Sequence, residues 1–463
     1  MSVSPKPPAV PAVSREARSA LVLLLLINLF NYLDRQVLAA VVPQIKQSFF
    51  GDNGAGPGGT LATILTWCQQ HLGFRPENAL VGLLSMAFMS CYMIGAPIFG
   101  RLGERRSRWK LIAVGVALWS LASGASGLAG TFTALLLTRC FVGIGEAAYG
   151  PVAPALLSDL YPIQVRGRIL SYFYLAIPVG SALGYVFGEQ IARSGLGPWA
   201  AHLFGGGAES WRWAFYLVVP PGLLLGLWSL LRRDPVRGQC DPGAVATPAR
   251  LGWRDHLVLV RTPSFVLCTL GMCAMTFAIG GIAFWMPSYL ESRPGCGHSP
   301  TTVFGAITVV AGLAATLLGG IAGDRLRPHF PGSYFLVSSA AMFAGVPLLL
   351  GTLVAPFPWA WGLLFATCFC LFFNTGPTNT ILANVTHPSL RSPAFALNIL
   401  VIHALGDVIS PTLIGLASDR YGLRNAFIGV AFVFLLAGLC WFLGAKHLAR
   451  DTALAPTRMG IVE

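Results

Sequence analysis

The chain has 463 residues, 55% of them hydrophobic and only 11% charged, with a mean hydropathy of +0.67. Soluble domains carry about 25% charged residues, so this composition excludes a water-soluble globular fold and points to a polytopic membrane protein. The net charge of +13 sits largely on Arg in short polar links between apolar runs, where positive-inside topology places it, and gives no nucleic-acid footprint.

Residues 1–17 are rich in Pro, Ser and Val and are expected to form a cytoplasmic tail without fixed structure. A spanning helix needs about 20 apolar residues, and twelve such segments can be drawn. In the first half they lie near 19–42, 78–101, 111–130, 132–156, 168–191 and 212–231. In the second half they lie near 264–289, 302–323, 333–354, 359–385, 393–417 and 424–445. The first is expected to stay as an anchor rather than a cleaved leader, because Asp34 and Arg35 interrupt it and no small-residue cleavage site follows. The stretch 232–262, with Arg232, Arg233, Arg237, Arg250, Arg254 and Arg261, reads as a cytoplasmic linker between two six-helix bundles, 18–231 and 263–447, with 448–463 as a second tail. Lys and Arg fall mostly on links that share a side with both termini, so both termini are expected in the cytoplasm. The ten Cys form no disulfide framework and no metal-ligand spacing. No cofactor or metal is expected.

A short phrase closes three apolar runs: Gly100 to Arg105, Gly320 to Arg325, and Gly415 to Arg420, each ending in an acid–Arg pair. The first two lie just under half a chain length apart, as internal duplication in secondary transporters produces. The candidate gating residues are Gly100, Glu104, Arg105 and Arg108 in the first half and Gly320, Asp324 and Arg325 in the second.

Charges within the spans are the first functional suspects, since Asp or Arg at the bilayer centre costs about 2.5–3.5 kcal/mol on translocon scales. The first helix holds Asp34 and Arg35, which point about 100° apart and cannot serve one partner by simple projection. The fourth holds Arg139 and Glu146, seven residues apart and so on one face, with Gly143 and Gly145 between them to admit a neighbouring backbone. Asp34, Arg139 and Glu146 are expected to form one network. It could act as a proton switch, since moving Arg away favours the protonated carboxyl, or as a static pair that fixes packing. On the eleventh helix His403 and Asp407 share a face one turn apart, either as a second proton site or as an interhelical hydrogen bond near a Pro411 kink. On the tenth, Asn374, Thr375, Thr378 and Asn379 surround Pro377 and suit either ligand contacts or backbone satisfaction. The fifth helix carries a stripe of Gly180, Gly184 and Gly188, either a rocking surface between bundles or ordinary close packing.

These phrases together resemble a Spinster-type member of the major facilitator superfamily. The resemblance rests on Asn31–Arg35, Arg139–Glu146 with Ala147, Ala153 and Pro154, Ala176–Ser181, Pro263–Leu267, and the His-x-x-Gly-Asp-x-x-Ser-Pro phrase from His403. In the loop motif after the second helix, Glu104 and Ser107 stand where the superfamily usually has Asp and Gly. The resemblance implies an all-α fold of two pseudo-symmetric six-helix bundles, alternating access, and transport of a lysophospholipid or sphingoid lipid such as sphingosine-1-phosphate, with protons as co-substrate. It also implies that Asp34, Arg35, Arg139 and Glu146 face the headgroup and carry the coupling. Tyr32, Tyr149, Tyr172, Tyr174, Phe277, Phe284 and Trp285 are candidates to line an apolar path for an acyl chain, beside Asn374 and Thr378. A proton symporter of small organic anions or sugar acids is the nearest alternative, and a non-transporting receptor a more distant one. No P-loop, His-Glu-x-x-His or Ser nucleophile elbow suggests an enzyme. A monomer in a bacterial inner membrane is expected, the latter from the Ala, Gly and Arg richness of the chain.

Overall fold

The structure is a computed structural model that describes residues 15–51, 59–204, 209–236, 239–240, 258–387 and 391–455. Among these the secondary structure is entirely helical. Twelve long rods follow in order: α1 (Arg15–Ala40), α2 (Glu77–Arg105), α3 (Arg108–Leu128), α4 (Phe132–Leu160), α5 (Ile163–Arg193), α6 (Ser210–Leu230), α7 (Pro263–Glu291), α8 (Pro300–Leu326), α9 (Ser333–Val354), α10 (Trp359–Asn384), α11 (Ala394–Tyr421) and α12 (Leu423–Leu454). Eleven are long and apolar enough to cross a membrane, and the other, α5, is a 31-residue helix packed among them. Most of the expected linker, 241–257, and the tail segments 1–14 and 456–463 lie outside the described residues.

The rods form two six-helix bundles, α1–α6 and α7–α12. In the first, α1 packs on α5, while α4 packs on α2 and α3; in the second, α12 packs on α7 and α9, and α10 on α8 and α9. The halves meet chiefly through α2 with α11 and α5 with α8. An even number of spans puts the start of α1 and the end of α12 on one face, here called the termini face. Tyr161 after α4 donates to the Ala17 carbonyl at 2.9 Å and Arg232 after α6 reaches the Ser19 hydroxyl, which fixes those ends beside the start of α1. The opposite face is the far face.

Among the described residues, one apolar cluster joins the halves. A continuous buried cluster joins Val37–Phe49, Leu84 and Tyr185 of the first half to Trp285, Phe304 and Ile414 of the second. The termini-side core of the first bundle, built on Leu24, Trp109, Trp119 and Phe173, is separate from it. The two halves are thus welded at the far face.

Prolines and unpaired carbonyls break four rods. α4 is interrupted over 148–151 ahead of Val152, α6 before Pro220, α10 at Phe373–Asn374 before Pro377, and α11 by a wide turn. Pro lacks the N–H that a helix interior needs. In α11 the residues His403–Asp407 form a π turn, with Val408 N donating to His403 O at 3.2 Å, just before Pro411. The kink expected at Pro411 is therefore realised one turn earlier, as a π bulge. α12 runs to Leu454, past the 447 boundary read from sequence, because buried Asp451 accepts from Ser264 N at 2.9 Å and docks the helix end on α7.

Glycines set the closest helix approaches. A Cβ on Gly184 would lie 2.8 Å from Gln36 Cβ, and one on Gly188 2.6 Å from Ala40 Cβ. The stripe therefore packs α5 against α1 inside one bundle, not against the other half. The α5 surface that meets the second half includes Ala182 and Tyr185, against Gly305. Replacing Gly184 with Val is expected to destabilise the protein by about 1–3 kcal/mol through overpacking, whereas Gly362→Ala, with open space around its Cβ, should leave thermal unfolding in detergent nearly unchanged.

Candidate functional site

Midway through the first bundle, α4 is wedged between two neighbours by its own glycines. A Cβ on Gly143 would lie 3.1 Å from Tyr92 N on α2, and one on Gly145 2.8 Å from Trp119 Cβ on α3. This close seating holds Arg139 and Glu146 toward α1. Asp34, Arg139 and Glu146 are each no more than 2% exposed. The adjacent pair on α1 diverges, as helical projection requires. Arg35 Nε donates to Glu146 Oε2 at 2.6 Å, while Asp34 Oδ1 accepts from Ser123 Oγ on α3 at 2.6 Å. Arg35 keeps a 14% exposed side chain and Glu146 none, so Arg35 is the partner that faces open space.

Arg35 is also ringed by aromatics, its guanidinium carbon lying 4.8 Å from the Tyr32 ring centroid, 4.9 Å from Tyr92 and 5.1 Å from Phe88. Cation–π contacts of this kind contribute about 0.5–2 kcal/mol each. Arg139 lies within Coulombic reach of Asp34 and Glu146, yet among the described residues it makes no direct ion pair and its Nε and Nη2 have no hydrogen-bond partner; it stacks 5.5 Å from Phe215. The network expected from sequence is therefore rearranged: Glu146 takes Arg35 from the neighbouring helix, and the Arg139 on its own face stands off.

The charged wall opens on a cavity of about 230 Å³ between the bundles, where Arg35, Arg139 and Glu146 on the first half are interspersed with apolar Leu38, Met89 and Val142. The opposite wall is mostly apolar, with Ile279, Gly280, Ala283, Phe284 and Pro411, and carries one acid, Asp407. His403 Nδ1 lies 2.9 and 3.0 Å from the two Asp407 carboxylate oxygens, across the π turn. Gly280 lets α11 sit this close, since a Cβ there would be 2.6 Å from Asp407 Cβ.

Several residues expected on the cavity wall are elsewhere. Tyr149 is buried in the first core, donating to the Leu24 carbonyl at 2.7 Å. Trp285 donates to the Pro411 carbonyl at 2.8 Å and packs edge-on to Phe284. Phe277 packs into the second bundle's core, and Tyr172 and Tyr174 are half exposed outside the cavity. Asn374 Nδ2 and Thr378 Oγ1 turn back on the carbonyls of Cys370 and Asn374 near Pro377, while Asn374 Oδ1 is buried without a hydrogen-bond partner among the described residues. Sequence reasoning missed Ser123, Gln36, Phe88 and Tyr92; nothing but the packing of α2 and α3 against α1 brings them here.

The gating residues lie on the termini face. Gly100 abuts Pro151. Glu104 continues α2, and its side chain lies outside the described residues. Arg105 is exposed, whereas Arg108 is buried against Asp159 and the Pro235 carbonyl within the first bundle. In the second half, Gly320 has open space, Asp324 accepts from Tyr334 at 2.7 Å, and Arg325 is exposed.

The description "Major Facilitator Superfamily" matches residues 24–411. The human protein spinster homolog 1 is 36% identical over 451 residues, covering 90% of this chain and 76% of the relative. The chain belongs to the major facilitator superfamily, in its Spinster branch. The Drosophila melanogaster protein spinster is 34% identical over 402 residues, 84% of this chain and 60% of that protein. Among solved structures, a bacterial homologue of the human lysosomal transporter Spinster, inward-facing and unoccupied, superposes with a TM-score of 0.80 at 21% identity, covering 95% and 99% of the two chains. The inward-open xylose transporter of E. coli gives 0.68 at 17% identity, covering 92% and 95%. These likenesses show the fold. A Spinster-branch chain is a membrane transporter of a small molecule, not an enzyme.

Removing one partner of a buried ion pair destabilises by about 3–5 kcal/mol, because the other charge is left uncompensated. Arg35→Gln and Glu146→Gln are each expected to lower thermal stability strongly, while the double variant should lose less than the sum of the two. A double-mutant cycle on purified protein measures this coupling.

Proposed function

We propose that this transporter carries a lysophospholipid or sphingoid-type lipid across the membrane by alternating access, with protons as the coupled ion. The supporting observation is the division of the cavity walls. One wall bears Arg35 and Arg139, suited to an anionic headgroup, and the other is a run of Ile279, Gly280, Ala283 and Phe284, suited to an acyl chain. A sugar acid would leave that second wall facing polar hydroxyls, with buried apolar surface unused.

The coupling is carried by Glu146. While Arg35 holds it, the carboxylate has a counter-charge at 2.6 Å. An anionic headgroup that draws Arg35 off leaves Glu146 buried without a counter-charge, and taking up a proton then costs less than remaining ionised. Arg139 stands ready to compensate Asp34 or the headgroup, since two of its donors have no partner. His403 and Asp407 pair on α11, with Asp407 facing the cavity, and are a second proton site. The termini face lies in the cytoplasm, where the Arg-rich links after α2 and α8 gather. The weld at the far face makes the described state one closed toward the outside. The termini-face motifs around Arg105 and Arg325 are the inner gate.

Purified protein in liposomes is expected to take up labelled lysophospholipid, not a labelled hexonate, and faster under an imposed pH gradient. Glu146→Gln should lose about tenfold or more of the gradient-driven rate, with gradient-free exchange retained. Hexonate uptake in place of lipid, or a gradient response unchanged in Glu146→Gln, would overturn the respective halves of this assignment.

A further inference from the structure

The third copy of the repeated phrase, Gly415 to Arg420, lies at the far-face end of α11, away from the other two. Its acid has a distinct job. Asp419 Oδ1 accepts from Asn78 N at 2.8 Å and Oδ2 from Ala79 N at 2.9 Å, so it caps the first turn of α2 in the other bundle. Asn78 adds a bond from Nδ2 to Ser418 Oγ at 3.1 Å, and Lys46 donates to Asn78 Oδ1 at 2.5 Å. Gly415 makes room for this seat, because a Cβ there would lie 2.9 Å from Ala79 N.

A second carboxylate does the same in the opposite sense. Glu189, near the far-face end of α5 and 1% exposed, accepts from Thr302 N at 2.8 Å, Thr302 Oγ1 at 2.7 Å and Thr301 N at 3.4 Å, capping α8 of the second bundle. Arg193, one turn on, bridges Glu189 and Glu291 of α7 at 3.3 Å each. The arrangement has the symmetry of the duplicated halves: the fifth helix of each half caps the second helix of the other.

Neither capped helix caps itself. Pro76 before α2 and Ser299 before α8 make no side-chain cap bond, whereas Ser107 and Thr131 cap α3 and α4 from their own strands of sequence. The first turns of α2 and α8 carry free N–H groups and the positive end of a helix dipole, which a carboxylate satisfies by charge-assisted bonds. The satisfaction exists only while the bundles are closed at the far face.

We propose that Asp419 and Glu189 are a matched pair of latches, positioning residues that set the balance between the closed and open far face. Each is a cross-bundle helix cap, so opening trades two or three charge-assisted bonds for water at each latch. Neutralising one shifts the closed-to-open ratio about tenfold, the factor that a change of one or two kcal/mol produces.

Hydrogen–deuterium exchange on the full-length protein in nanodiscs tests this, with Asp419→Asn, Glu189→Gln, the double variant, and Asp451→Asn as a cap within one bundle. Faster exchange is expected in both single variants along both far-face segments, 78–85 and 301–308, with slower exchange at the termini-face ends of α2 and α8. The double variant should show a larger shift than either single one. Acceleration confined to the capped amides of each variant's own helix would overturn the proposal, as would an equal far-face response in Asp451→Asn. Should Asp419→Asn not fold, Glu189→Gln alone decides, because it must accelerate 78–85 on the helix it does not touch.

Discussion

The bond between Arg35 and Glu146 governs the rest of this molecule. Two full charges sit where transfer from water is costly, and they are tolerable because they meet at 2.6 Å with three aromatic rings around the cation. Around it, Gly143 and Gly145 seat α4 on α2 and α3, and Gly184 and Gly188 seat α5 on α1. The bond also demands that one member touch open space, since a fully enclosed pair would have nothing to answer to. Arg35 meets that demand at the cavity wall.

The second constraint is where the halves are allowed to part. Apolar burial and the two carboxylate caps hold them together at the far face, while on the termini face Arg108 and Asp324 bond within their own bundles and Arg105 and Arg325 are exposed. A protein with one charged cluster at mid-depth and adhesion concentrated at one end is built to hinge. That build suits a membrane transporter, and the proposed amphiphilic cargo rests on buried arginines set among apolar residues in the cavity.

Much of the fold was legible in composition alone, because a bilayer leaves few ways to satisfy a backbone and twenty apolar residues announce a span. The suspect charges were legible for the same reason. Their partners were not. Glu146 shares a helical face with Arg139, yet the angle of α1 against α4 puts Arg35 nearer, and no spacing within one helix encodes that angle. Tyr149 and Trp285 read as cavity aromatics because a ring buried in a core and a ring lining a pocket have the same sequence signature; their hydroxyl and indole donors are used on the Leu24 and Pro411 carbonyls instead. At the broken helix beside Pro377, Asn374 Nδ2 and Thr378 Oγ1 are used on backbone carbonyls. Asp419 stood in plain view as the third copy of the phrase, but its meaning required knowing that α11 and α2 end side by side on the far face.

The decisive measurement is infrared difference spectroscopy of the reconstituted protein on adding lysophospholipid. A protonated-carboxyl C=O band that appears with lipid in the native protein and is missing in Glu146→Gln is the expected result. A band of equal size in that variant, or none in the native protein, would contradict the coupling of Arg35 release to proton uptake.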